Sequence, residues 1–199
     1  MIKLAITGSI ASGKSVAESY LKQKRIPSID ADMIVHRLLS EDKEVIEKIC
    51  LLFNTDKNGI LDENGKISRK KLGKIVFNDK DKLKQLEEII HPKVKEEINR
   101  FFEENKNRPI AAAVVPVLYE AGMQNLFDYV VLVSTKKELQ IKRLMERDSL
   151  TRDQAEKRIN LFIDEEEKIK KADFVVYNNL DINNTMLQIE KILKGMLNK

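Results

Sequence analysis

A glycine-bracketed loop near the amino terminus restricts the fold of this chain more than any other part of its sequence. Gly8-Ser9-Ile10-Ala11-Ser12-Gly13-Lys14-Ser15 fits the pattern G-x-x-x-x-G-K-[ST]. The apolar run 2–7 predicts a strand before the loop, and residues 14–24 predict a helix after it. Because the pattern needs this order of strand, loop and helix, we interpret it as a phosphate-binding loop in an α/β fold.

The residue types of the loop indicate which atoms would hold phosphate groups. Glycines let the backbone turn tightly with its N–H groups inward, and the start of the next helix adds a positive dipole end. Lys14 can reach the β- and γ-phosphates of a nucleotide, and the Ser15 hydroxyl can bind Mg²⁺. The predicted nucleotide-binding residues are Gly8, Ala11, Ser12, Gly13, Lys14, Ser15 and Val16, with Ser15 as the metal ligand.

Composition limits the class of protein. A chain of 199 residues with 42% hydrophobic residues can form one α/β domain. The net charge of +4 suits an anionic substrate, whereas few, scattered aromatic residues do not indicate nucleic-acid binding. No segment has the pattern of a signal peptide, and the longest apolar run, 110–119, is too short to span a membrane. We expect a cytoplasmic protein without membrane or nucleic-acid partners, as a monomer or small homo-oligomer.

Apolar runs alternate with helical patterns along the chain. Strands are expected at 2–7, 26–30, 110–115, 128–134 and 172–177. Helices are expected at 14–24, 32–40, 42–53, 69–76, 79–105, 136–147, 151–170 and 182–198. Since the strand runs are continuously apolar, we predict an α/β fold with a parallel sheet between helices. Residues 41–105 lack a strong strand and are predicted to be an insertion that binds a second substrate, within which Pro92 should kink a helix or start a new one.

Two aspartates follow the second predicted strand, at the edge where α/β sites form. One carboxylate of Asp30 and Asp32 could accept the proton of an attacking hydroxyl or hold Mg²⁺ through water. Asp32 could equally be the cap of the next helix. The third strand ends in Val114 and Val115, where many phosphate-loop enzymes have a magnesium-directing Asp, so the metal role falls on Ser15 and Asp32.

Four arginines surround a predicted turn at 147–151. In phosphoryl transferases a mobile, arginine-bearing segment closes over the nucleotide and neutralises charge on the transferring group. The alternative is a solvated helix with ion pairs such as Asp153 with Lys157. We expect at least one of the four to contact phosphate; they are Arg143, Arg147, Arg152 and Arg158.

These segments, taken in order, resemble the dephospho-coenzyme A kinase family over nearly the whole chain. The phosphate loop alone is shared by many families, whereas the ordered set is specific. The resembling segments are 6–15, 30–32, Arg69 with Leu72, Val76 and Phe77, 91–92, 116–120, 147–151 and 172–178. The resemblance implies a three-layer phosphate-loop kinase that uses ATP to phosphorylate the ribose 3′-hydroxyl of dephospho-CoA. It also implies a single domain 1–199, with a core at 1–40 and 106–199, a substrate-binding insertion at 41–105 and a lid at 147–165.

The resemblance further implies roles for individual residues. Lys14, Asp32 and Arg147 would be catalytic, and Arg143 and Asn178 would join the loop in binding ATP. The implied substrate-binding residues are Asp32, His36, Arg69, Leu72, Phe77, His91, Pro116 and Glu120. Without the resemblance, His91 is more readily interpreted as a packed histidine.

The chain departs from the family pattern at three positions. His36 stands where the family often has Arg, Phe162 where Gln is usual, and Val117 where Leu is commoner. The charge of His36 would depend on pH. Two alternatives stay open: a phosphate-loop kinase for another nucleotide or small metabolite, and a nucleotide-dependent switch that hydrolyses ATP slowly.

Overall fold

The computed structural model describes residues 1–53, 57–76, 79–161 and 163–198. The strands are β1 (Ile2–Thr7), β2 (Ser28–Asp30), β3 (Ile110–Val114), β4 (Tyr129–Ser134) and β5 (Phe174–Tyr177). The α-helices are α1 (Lys14–Gln23), α2 (Ala31–Glu41), α3 (Lys43–Leu52), α4 (Lys57–Ile60), α5 (Arg69–Val76), α6 (Lys80–Glu104), α7 (Lys137–Asp148), α8 (Arg152–Ile159), α9 (Glu165–Lys171) and α10 (Ile182–Leu197).

The strands form one parallel sheet in the order β2-β3-β1-β4-β5, with helices on both sides. β1 lies in the middle, where Ile6 is in register with Val114 of β3 and Val131 of β4. The two strands beside β1 are β3 and β4, which both come later in the sequence, so the loop after β1 lies where the strand order reverses. In open α/β sheets this is the position at which ligands bind, outside the carboxyl ends of the strands. The predicted fold class is confirmed.

One face of the sheet packs on α1 and α10. Alternate strand residues and the apolar sides of both helices form a single buried cluster. Each Val, Leu, Ile or Met side chain contributes about 1.5–3 kcal/mol when fully buried. The central members of the cluster are Leu4, Ile6, Ala17, Tyr20, Leu21, Val114, Val131, Val133, Val176, Ile189, Leu193 and Met196. Because α1 begins at the phosphate loop, this packing anchors one end of the loop.

The chain divides into two compact units. The first contains residues 1–30 and 101–199, with the whole sheet, and the second contains residues 31–100. Within the second unit, Val45, Ile49 and Leu72 are buried, and an ion pair joins Lys93 to Glu44 at 2.9 Å. The predicted single domain with an insertion at 41–105 stays a prediction.

One prediction about helices is wrong, and one of the two effects expected at Pro92 is excluded. Residues 151–170 were expected to form one helix, but α8 and α9 are separate, because each has its own N-cap: Thr151 in a capping box with Gln154, and Asp164, whose side chain accepts from Glu166 N. No new helix starts at Pro92, since α6 continues through it.

Candidate active site

The phosphate loop has the tight backbone that its glycines predict. Ser12 N donates to Ser9 O at 3.1 Å, and Val16 N donates to Gly13 O at 3.0 Å as α1 begins. Gly13 has φ +98°, and a Cβ there would lie 1.9 Å from Asn178 Nδ2. A Cβ on Gly8 would lie 2.4 Å from Val133 O. Any side chain at either position would collide with a fixed neighbour, so the loop keeps its shape only with glycine at both ends.

Side chains from three separate parts of the chain hold the middle of this loop: α7, α9 and the segment after β5. Gln140 of α7 donates from Nε2 to Ile10 O at 2.5 Å, and Asn178 Nδ2 donates to Ser12 O at 2.9 Å. Ser9 Oγ donates to Glu165 Oε2 of α9 at 2.5 Å. Sequence reasoning missed Gln140 and Glu165, which no motif distinguishes from surface residues of their helices. The loop is therefore shaped by its surroundings as well as by its own glycines.

Asn178 is bonded through both polar ends of its side chain and through its backbone. It is 4% exposed, and its Oδ1 accepts from Thr185 Oγ1 at 3.0 Å. Its backbone carbonyl accepts from Thr135 Oγ1 at 2.9 Å and from Arg143 at 3.1 Å. A buried amide with both polar ends bonded is rigid, and rigidity is what a support for the loop requires.

Lys14 and Ser15 stand at the start of α1. Lys14 Nζ donates to the carbonyls of Gly8 at 2.8 Å and Ser9 at 3.2 Å, so its ammonium lies over the loop. Ser15 is exposed. The first turn of a helix presents backbone N–H groups and a positive dipole end, which suits an anion.

An open pocket of about 740 Å³ lies beside the loop. Five of its lining residues are predicted nucleotide-binding residues: Gly13, Ser15, Val16, Arg143 and Asn178. The others are Leu180, Asp181, Ile182 and Asn183, which sequence reasoning missed. Leu180 and Ile182 are 68% and 58% exposed and present apolar surface to the pocket, a property that the sequence does not show. The volume lies within the usual range of small-molecule sites.

The four arginines separate into two groups. Arg143 is half-buried and lines the pocket. Arg147 and Arg158 both bond Asp148, at 2.9 and 2.7 Å, and the Arg147 hydrogen bond is the main cause that lowers the pKa of that carboxyl. Arg152 pairs with Glu138 at 2.9 Å. The catalytic role of Arg147 stays a prediction, and it requires the guanidinium to leave Asp148.

Several predicted substrate-binding residues lie in the second unit. Asp32 and His36 are both exposed and one turn apart on α2, so they share a helix face. Asp32 lies inside the first turn of α2 rather than before it, which differs from the capping arrangement. Arg69 is exposed. Leu72 is 3% exposed, which is the burial of a core residue rather than of a ligand contact.

His91 and Phe77 are the other predicted substrate-binding residues of the segment 41–105. His91 is half-buried in α6, and burial is the main cause that lowers its pKa, with Lys95 acting in the same direction and Glu87 opposing it. Phe77, like the departure at Phe162, lies outside the described residues.

The segment after β3 contains the last predicted residues. Pro116 O accepts from Thr7 Oγ1 at 3.4 Å, and Val114 and Val115 are buried at the strand end. Glu120 forms an ion pair with Lys168 Nζ at 3.0 Å. Lys168 is 1% exposed and was missed by sequence reasoning, because it reads as one of several solvated lysines in its helix.

The described residues give a limited set of metal ligands. Among them, no group of three or more His, Cys, Asp or Glu side chains could hold a metal ion. Mg²⁺ usually takes one or two protein oxygens together with water and substrate phosphates, so the Ser15 hydroxyl beside a phosphate site fits this ion. Within the same residues, no helix is both long and apolar enough to cross a membrane.

Comparisons with known proteins identify the family. The model of the family described as CoaE, dephospho-CoA kinase, matches residues 2–184. A dephospho-CoA kinase of Fusobacterium nucleatum is 42% identical over 190 residues, 94% of this chain and 95% of that protein. One of Listeria innocua is 37% identical over 199 residues, covering 98% and 97%. The structure of dephospho-CoA kinase from Campylobacter jejuni aligns with a TM-score of 0.74 and 34% identity, over 98% of this chain and 97% of that one. This chain therefore belongs to the dephospho-CoA kinase family.

Proposed function

We propose that this kinase transfers the γ-phosphoryl group of ATP to the ribose 3′-hydroxyl of dephospho-CoA, giving coenzyme A and ADP in the last step of coenzyme A biosynthesis. The observation that carries the proposal is a complete phosphate loop that opens into a pocket, in a chain that matches the family over residues 2–184. The comparisons do not favour a kinase with a different acceptor. The proposal includes a cytoplasmic location, where ATP is available, and a monomer or small homo-oligomer.

The pocket beside the loop is the proposed ATP site. The phosphates lie at the first turn of α1, where backbone N–H groups and Lys14 donate to them. The base lies toward the exposed apolar side chains of Leu180 and Ile182. Arg143, half-buried next to Asn178, contributes a fixed positive charge to the same pocket.

Lys14 changes partners when the nucleotide binds. Its ammonium is held by two loop carbonyls, and phosphate oxygens replace them as stronger, charged acceptors. The Ser15 hydroxyl would be a ligand of Mg²⁺, which when bound neutralises charge on the β- and γ-phosphates. Lys14 and Arg143 then stabilise the charge that spreads over the transferring group.

Asp32 is the proposed acceptor of the sugar proton. In an in-line transfer the 3′-oxygen forms a bond to the γ-phosphorus while the bond to the bridging oxygen breaks and ADP leaves. The hydroxyl proton passes to the Asp32 carboxylate. His36 shares a face of α2 with Asp32, and it joins Arg69, His91, Pro116 and Glu120 as a proposed contact of the substrate.

A product assay tests the proposed function. The chain is incubated with ATP, Mg²⁺ and dephospho-CoA, ADP release is followed in a coupled assay, and the product is identified by mass, with Lys14→Ala as the control. We expect a product heavier by one phosphate that the variant does not form. ADP release without this product would refute the acceptor, and nucleoside monophosphates are then the first alternatives to assay. Nucleotide binding without any turnover would favour the switch.

A further inference from the structure

We infer that Glu165 is a positioning residue for the phosphate loop and that a buried ion pair, Lys168 with Glu120, holds Glu165 in place. The inference rests on the proposed ATP-dependent function, because it assigns to Glu165 an effect on nucleotide binding. Glu165 itself is assigned no contact with the nucleotide.

Ser9 of the phosphate loop is hydrogen-bonded to Glu165 of α9. Ser9 is 8% exposed, and its hydroxyl donates to a carboxylate oxygen at 2.5 Å. A hydrogen bond with an ionised acceptor is about twice as strong as one between neutral groups. The carbonyl of the same serine accepts from Lys14 Nζ at 3.2 Å. Ser9 therefore connects Glu165 to the lysine that is proposed to bind the phosphates.

The other carboxylate oxygen of Glu165 is buried in different surroundings. This atom, Oε1, has no hydrogen-bond partner among the described residues. A buried carboxylate oxygen without a partner is unfavourable, so the side chain would turn toward water unless its helix were fixed in position. Something other than the Glu165 carboxylate must therefore hold the start of α9.

Lys168 supplies this anchor. It follows Glu165 by three residues in α9, its side chain is 1% exposed, and its Nζ lies 3.0 Å from Glu120 Oε1. The same Glu120 oxygen accepts from Ile163 N at 3.3 Å. A buried ammonium costs several kcal/mol unless it is paired. Glu120 thus holds the chain on both sides of Glu165, and α9 cannot shift without exposing or unpairing Lys168.

The consequence for function follows from the position of these residues along the chain. The segment predicted to be the lid ends at 163–165, where Glu120 and Ser9 make their contacts. Without the Ser9 bond the loop can adopt other conformations, and the apparent nucleotide affinity falls in proportion to the competent fraction. We expect about a tenfold loss of affinity, equivalent to about 1.4 kcal/mol.

A double-mutant cycle tests the bond. Dissociation constants for ATP and ADP are measured by calorimetry, without acceptor, for Ser9→Ala, Glu165→Ala and the double variant. Each single variant should bind about tenfold more weakly, and the double variant should bind no more weakly than the weaker single one. Glu166→Ala is the matched control, because Glu166 is exposed in the same helix, and it should stay within about twofold. Glu165→Gln keeps an acceptor for Ser9 and should recover most of the affinity.

The same variants separate positioning from general stability. Melting temperature, kcat and KM for each substrate are measured alongside the calorimetry. We expect a higher KM for ATP, with an unchanged KM for dephospho-CoA and a Tm within a few degrees. Unchanged nucleotide affinity in Glu165→Ala, or losses that add fully in the double variant, would overturn the inference. If Glu165→Ala does not fold, Ser9→Ala tests the same hydrogen bond from the side of the loop. Unchanged nucleotide affinity in Ser9→Ala would also overturn the inference.

A substitution of Lys168 tests whether its ion pair with Glu120 holds α9 in place. Lys168→Met removes the buried charge at similar volume and should reproduce the loss of nucleotide affinity, whereas wild-type affinity would remove Lys168 from the inference. Because calorimetry needs no acceptor, these results do not depend on dephospho-CoA being the substrate. A wild-type protein that binds ATP but does not phosphorylate dephospho-CoA would refute the proposed function alone.

Discussion

Replacing Asn178 by alanine tests how far the phosphate loop depends on its surroundings. The side chain is 4% exposed, its Nδ2 donates to Ser12 O and its Oδ1 accepts from Thr185 Oγ1. The variant deletes both bonds and leaves a carbonyl and a hydroxyl without these partners. The backbone carbonyl of residue 178 and its bonds to Thr135 and Arg143 are retained.

The magnitude follows from these two groups. An unsatisfied buried polar group costs about 1–3 kcal/mol. Thr185 can still donate to Asp181 O at 3.3 Å. Asn178 itself lines an open pocket, so water can enter the space that its side chain leaves, and we use the lower end for each group. The sum is about 2 kcal/mol. In a chain of 199 residues each kcal/mol lowers Tm by about 2–4 °C, so we expect a decrease of about 4–8 °C.

Two assays read the result. Thermal denaturation gives the change in Tm, and calorimetry gives the ATP dissociation constant, which should rise about tenfold as the loop loses its support at Ser12. Asn198→Ala is the control, because Asn198 is exposed at the end of α10. Wild-type Tm and wild-type affinity in Asn178→Ala would refute the role of Asn178 as a support of the loop.

The remaining predictions address other parts of the site. Gly13→Ala should weaken ATP binding more than tenfold, because its Cβ at φ +98° would meet the fixed Asn178 amide at 1.9 Å; wild-type affinity in titrations would contradict this. Asp32→Asn should lower kcat at least about 100-fold with ATP binding intact, and unchanged turnover would remove Asp32 from the mechanism. Since burial lowers the pKa of His91, the unfolded chain binds its proton more readily, so stability should decrease as pH falls through about 6.5. His91→Gln should flatten this part of a Tm–pH profile, and identical profiles would refute the assignment. In hydrogen exchange, 8–15 should be protected without nucleotide and 147–161 should gain protection with ATP; the reverse order would show that the loop, and not the arginine segment, becomes ordered on binding.

The parts of the fold that sequence predicted are those with local causes. Continuous apolar runs such as 129–134 mark strands buried on both faces, and the loop pattern carries its own geometry. The missed contacts are distant in sequence: Gln140 lies 130 residues from Ile10, and Glu165 lies 156 residues from Ser9. A polar residue on a helix has the same local pattern whether it meets water or a loop brought close by the fold.

The error at 151–170 has a related cause. Helical periodicity runs through both segments, but Asp164 accepts from Glu166 N and starts a second helix. A capping side chain offers the backbone an alternative partner, and which one prevails depends on tertiary contacts. Here Glu120 bonds Ile163 N just before the cap, a contact that sequence does not show.

The loop and the arginine segment differ in how firmly they are held, and this difference bears on catalysis. Side chains from three parts of the chain form hydrogen bonds with residues 9, 10 and 12 of the loop. The loop therefore loses little conformational entropy when phosphate binds. The partners of Arg147 and Arg158 are instead surface contacts, since both guanidinium groups are about half exposed. Such pairs contribute about 0–1 kcal/mol, so a phosphate group can replace Asp148 at little cost. We therefore expect the nucleotide to bind to a loop that already has its final conformation and to reorder the arginines. The conformational change of the catalytic cycle would then occur in the segment that carries Arg147 and Arg158.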